Sequence, residues 1–100
     1  MAAGRVTTTG RTPELVEIAR RLIWWKDPEA ALADERRFLA QAMTLANWQE
    51  LSYIRALYGD EALRSVLESA PPGVFDRRSW NYWHAKFGIR PVPPRPTRRL

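Results

Sequence analysis

His84 is the one histidine in a chain of 100 residues that has no cysteine at all. Without cysteine there is no disulfide, no thiolate nucleophile and no Cys-type zinc site, and a single histidine has no second one to share a metal with. A lone histidine of this kind reads as a structural hydrogen-bonder. The adjacent carboxylates Asp34–Glu35 and Asp60–Glu61 fall at predicted helix starts, where acids serve caps and the helix dipole. No Gly-rich phosphate loop occurs, and no serine lies beside a plausible base. The usual pairings of nucleophile and base therefore have no candidates. The expectation is a non-enzymatic protein with no cofactor, no metal and no catalytic residue.

What the chain has in abundance is contact surface. Five of its residues are tryptophan: Trp24, Trp25, Trp48, Trp80 and Trp83. Indoles bury much area at little entropic cost, which makes them anchors of cores and of interfaces alike. Arg78, Tyr82 and Lys86 add a cationic ladder around one ring at i, i+4 and i+8. Its plain reading is a solvated helix face, and its sharper one a contact for phosphate or an acidic protein.

The elements that position these groups read as helices throughout. Apolar residues recur at helical spacing, and no alternating run of strand length is present. The expected fold is all-α: a compact bundle of about five short helices over residues 12–89, with an N-terminal segment 1–11 and a Pro/Arg-rich tail 90–100. The first helix is placed at 13–25, capped by Thr12 and opened by Pro13. Leu15, Ile18, Ala19, Leu22 and Trp25 share its core stripe, and Trp24 falls on the wrong side. Lys26-Asp27-Pro28 breaks it. The second helix starts at Pro28 or, after a break at Ala33 and Asp34, at Glu35, and ends near Ala46. Asn47-Trp48-Gln49-Glu50 is a capping-box pattern that opens the third, and Trp48 is expected to pack at that start. Gly59 is assigned a left-handed stop and Asp60 the cap of a fourth helix, 61–69. Ala70-Pro71-Pro72-Gly73 ends that helix. Asp76 caps the fifth and Gly88 closes it, with Trp80, Trp83 and Phe87 on its inner stripe. A helix-turn-helix reading of the last two fails, because six residues including Pro-Pro-Gly separate them and the usual turn has three or four.

Net charge is +5, and its location matters more than its size. Residues 12–89 hold eight arginines, two lysines and eleven acids, a net of −1. The excess lies in the ends, at Arg5, Arg11, Arg90, Arg95, Arg98 and Arg99. A DNA reader usually carries a basic face on its folded part, so this distribution argues against that class. The tail, with Pro91, Pro93, Pro94 and Pro96, is expected to be extended and polyproline-like. It contains overlapping PxxP patterns, and it suits an arm lying on the chain's own aromatic surface or on a partner's. No apolar run approaches the ~20 residues that cross a bilayer, and residues 1–11 lack the apolar region of a secretory signal. A cytoplasmic setting is expected.

Three stretches carry a resemblance: Leu22-Ile23-Trp24-Trp25-Lys26-Asp27-Pro28, Arg37-Phe38-Leu39-Ala40, and Ala70-Pro71-Pro72-Gly73-Val74-Phe75-Asp76-Arg77-Arg78-Ser79-Trp80-Asn81-Tyr82-Trp83-His84. Over residues 15–98 the chain resembles a family of small bacterial proteins whose genes lie beside those of nucleotidyltransferase-fold toxins of the abortive-infection type. The most specific part is Asp-x-Arg-Ser-Trp-x-Tyr-Trp at 76–83, where Arg77 replaces an expected proline. The resemblance implies an antitoxin-like partner that binds and restrains such an enzyme. The residues assigned to partner contact are Trp24, Arg78, Tyr82, Lys86, Arg90, Pro91, Pro93, Pro94 and Arg95. The alternatives are a nucleic-acid-binding accessory protein acting through its Arg-rich ends, and a structural helical domain in a homo-oligomer.

Overall fold

The computed structural model describes residues 12–97. The expectations for segment 1–11, including Arg5 and Arg11, and for Arg98 and Arg99 lie outside the described residues. Among those described there are six helices and no strand: α1 (Pro13–Leu22), α2 (Pro28–Ala33), α3 (Glu35–Leu45), α4 (Trp48–Tyr58), α5 (Asp60–Glu68) and α6 (Arg77–Lys86). The count is six rather than about five because both proposed starts of the second helix are used. Pro28 opens α2, and a bend at Asp34 restarts the chain as α3.

The local signals set most boundaries. The Thr12 hydroxyl accepts from the Leu15 N–H, and the Asp27 carboxylate from that of Glu29. Asn47 and Glu50 form a reciprocal capping box. The Asp76 carboxylate accepts from the Ser79 N–H at 2.8 Å. At the end of α6, Gly88 takes φ +70°, Ile89 N–H reaches back to the His84 carbonyl and Gly88 N–H to that of Ala85. Those are the two bonds of a Schellman ending.

Three expectations need correcting. The first helix stops at Leu22, not at residue 25. Pro28 keeps Asp27 extended (φ −61°, ψ 137°), and the chain needs residues 23–26 to turn into that conformation. The turn redirects the side chains that follow. Ile23 enters the core, and Trp25, expected there, is 56% exposed. Gly59 has positive φ, as expected of a glycine, but with ψ 154° it is extended rather than left-handed helical. Gly59 is itself the cap residue of α5, and Asp60 is the first residue inside the helix. Its carboxylate bridges to Arg55 instead, Nε to Oδ1 and Nη2 to Oδ2, both at 2.8 Å.

The core is continuous through all six helices, with Trp83, Phe38 and Phe75 its largest fully buried side chains. Its main polar link joins α6 to α3. The last four carbonyls of a helix have no partner within it. In α3 the Ala42 carbonyl is met by the Ala46 N–H. The N–H that would have met the Met43 carbonyl belongs to Asn47, which donates to the Glu50 carboxylate instead. The Trp83 indole supplies the replacement, Nε1–H to the Met43 carbonyl at 2.9 Å, in a buried position.

That bond makes a prediction. Trp83→Phe leaves a buried carbonyl without a donor and a void beside it, and should destabilise the chain by about 2–4 kcal/mol in urea unfolding. A loss below about 0.5 kcal/mol, the range of ordinary surface substitutions, would contradict this placement.

Candidate interaction surfaces

The chain exposes large apolar groups in the turn after α1, at the end of α3 and at the start of α4. Trp24 is 76% exposed, Trp25 56%, Trp48 68%, and Leu45 more than half. Trp24 and Trp25 leave the end of α1 with their rings edge to face, centroids 5.6 Å apart and planes at 89°. Leu45 ends α3, and Trp48 begins α4 three residues later.

A two-pronged ion pair draws these elements together. Arg21, in the last turn of α1, donates from Nε to Glu50 Oε2 at 2.6 Å and from Nη2 to Glu50 Oε1. Trp24 follows Arg21 by three residues, and Trp48 precedes Glu50 by two. Trp24 and Trp48 are therefore each close in the chain to one partner of the same ion pair. The same Glu50 closes the capping box of α4, so one carboxylate both starts that helix and ties it to α1. At the other end of α1, Thr12 Oγ1 shares a hydrogen bond with the Tyr53 hydroxyl of α4.

Trp48 was expected to pack at its helix start, and the structure corrects this. Leu51 and Ile54 mark the buried side of α4. At 3.6 residues per turn Trp48 lies roughly a quarter turn or more away from it. The same helical wheel, drawn from Leu51 and Ile54, was available in the sequence. The exposure of Trp25 was not, since it depends on where α1 stops.

A second surface lies on α6. Arg78, Tyr82 and Lys86 are all exposed and in line as expected, with Tyr82 at 46%. The Tyr82 ring is set edge-on to Trp83, planes at 85°. On the inner side of α6, Trp80 and Trp83 are buried as expected. His84 is also buried: its ring packs on Trp80 and its Nδ1 lies 2.7 Å from the Trp80 carbonyl. A carbonyl only accepts, so the proton is on Nδ1.

The tail supplies the third part. Residues 92–97 have no helix or strand and return along α6. The Trp80 indole donates to the Pro93 carbonyl at 2.8 Å, Arg95 Nη1 to the Phe75 carbonyl at 3.1 Å, and Gly73 N–H to the Pro96 carbonyl at 3.3 Å. Of the tail residues assigned to a partner, Pro93 and Arg95 thus hold the tail to its own domain. Arg90, Pro91 and Pro94 are exposed. Trp24 lies apart from this set, in the α1–α4 region.

Compared with known proteins, the chain matches no family model, no curated protein and no solved structure. Among the described residues no three His, Cys, Asp or Glu side chains gather as a metal site would require, and no helix is long and apolar enough to cross a membrane.

Three carboxyls are held below their ordinary values: Glu50 mainly by the Arg21 hydrogen bonds, Asp60 mainly by those of Arg55, and Asp76 mainly by the Ser79 N–H. A carboxyl whose folded pKa is depressed adds stability above its unfolded value, and that stability is lost as pH falls through the folded one. Glu50→Gln keeps the cap and loses the ion pair, and because Arg21 is half-exposed the cost at pH 7 should be about 0.5–1 kcal/mol. The gap between the two proteins should shrink below the ordinary glutamate value of 4.5. A gap that stays constant as the pH falls well below that value would show that the ion pair is not its source.

Proposed function

We propose that this chain is a non-enzymatic protein-binding module that docks through the face formed by Trp24, Trp25, Leu45 and Trp48. The observation that carries this reading is the exposure of three indoles on elements fixed by the Arg21–Glu50 clamp. Large exposed apolar side chains, when they gather, mark interaction sites on soluble proteins. Tryptophan is the residue most enriched among the few that dominate binding energy. Anchors held rigid before binding lose little entropy when a partner covers them.

The partner class follows from the family resemblance. A nucleotidyltransferase-fold toxin encoded beside this gene is the proposed target, and the chain acts as its antitoxin-like restraint in a bacterial cytoplasm. Such a role asks for buried area and shape, not for a nucleophile, base or metal. The Trp24–Trp25 pair, exposed in the turn after α1, is the proposed centre of the contact.

The direct test is co-purification with the neighbouring nucleotidyltransferase, followed by titration calorimetry. Loss of a central tryptophan anchor typically costs 2 kcal/mol or more, so Trp24→Ala and Trp48→Ala should each weaken binding by about 30-fold. Their unfolding midpoints should stay near that of the parent, because neither indole is part of the core. Binding unchanged in the double variant would refute the assignment of this face.

A further inference from the structure

The charge of the folded part is neutral only as a sum. Residues 12–75 hold seven Arg and Lys against ten Asp and Glu; residues 76–97 hold five against one. The structure gathers the second group on one face. The solvent-facing positions of α6 are Arg77, Arg78, Asn81, Tyr82, Ala85 and Lys86, and none is acidic. The one acid of this region, Asp76, has its carboxylate on the Ser79 N–H at the helix start. Asp60 of α5, close enough to act electrostatically on Lys86, is bridged to Arg55.

The tail extends this face. Between it and α6 runs a groove of about 430 Å³ with Arg77, Asn81, Arg95 and Thr97 on its walls. The Trp80–Pro93 hydrogen bond holds the two walls together, and the Arg95–Phe75 bond fixes one guanidinium at the rim. Further round the exposed side of the same helix, the half-exposed ring of Tyr82 lies one turn from Arg78 and one turn from Lys86, positioned by its edge contact with Trp83.

We infer that the α6–tail face binds single-stranded nucleic acid, with Arg77, Arg78, Lys86 and Arg95 meeting phosphates and Tyr82 stacking on a base. Cations spaced along a surface with an aromatic ring between them are the general form of single-strand recognition. A duplex hides its base faces and would leave Tyr82 unused. An acidic peptide would meet the cations and equally have no use for the ring. The near-zero charge of the whole domain averages over this basic face and the acidic remainder.

The test is fluorescence anisotropy of the full chain with a labelled oligothymidylate of about 15 nucleotides, within the range of single-strand sites. With four phosphates engaged, log K should fall against log salt with a slope of about −3, and Arg78→Ala with Lys86→Ala should make it shallower by about 1.4. Tyr82→Ala should weaken binding by about 10-fold, the lower part of the range for one stacked base, yet leave an abasic oligomer bound as before. The abasic arm separates lost stacking from a loosened fold. Trp24→Ala should bind the oligonucleotide like the parent, so this inference and the docking face fail or stand separately. The inference is overturned by any of four results. These are no binding in low salt, unchanged affinity in the α6 variants, tighter binding of a duplex of the same length, or equal binding of polyglutamate.

Discussion

The hydrogen bond from the Trp83 indole to the Met43 carbonyl is the constraint on which the rest of this domain depends. A helix that ends inside a protein leaves carbonyls that must find donors. The capping box of α4 takes the Asn47 N–H away from α3, and α6 must then bring a donor of its own. Only a long side chain with both apolar area and an N–H can reach that place while filling the core, and Trp83 does both. Once Trp83 is seated, the register of α6 is fixed. Trp80 and His84 are turned inward beside it, and Arg78, Tyr82 and Lys86 are turned out.

The same logic runs one step further along the chain. Trp80, placed by Trp83, has an indole N–H that also needs an acceptor, and the Pro93 carbonyl supplies it. Proline-rich chain suits that role, because it leaves carbonyls free of internal hydrogen bonds. The tail is thereby laid along α6, and its Arg95 joins the helix cations on one surface. The two inner tryptophans organise the fold and, through it, the basic face. The three outer ones, at 24, 25 and 48, stand outside the core, and the Arg21–Glu50 pair ties together the two helices near which they lie in the chain.

Helix limits set by neighbours in the chain were readable without the structure. Thr12, Asp27, Asn47, Asp76 and Gly88 each act within a few residues, so their spacing is enough to identify them. The inward stripe of Trp80 and Trp83 was readable for the same reason, since helical periodicity is local. What depends on tertiary geometry was not. Trp25 changes sides because α1 ends three residues early, and that end is set by how the chain must enter α2. Asp60 leaves the cap role because Arg55, one turn back across Gly59, offers it a better partner. The partners of the tail lie 13 or more residues away in sequence. No local pattern announces them.

The five tryptophans divide into two that build the domain and three that stand outside its core. The direct measurement is fluorine NMR of the chain labelled with 5-fluorotryptophan, with each resonance assigned by single Trp→Phe substitution and probed with a soluble paramagnetic agent. The expected result is strong broadening at Trp24, Trp25 and Trp48, with Trp80 and Trp83 protected. Protection of Trp25 or Trp48 in the isolated chain, or broadening of Trp83, would contradict it.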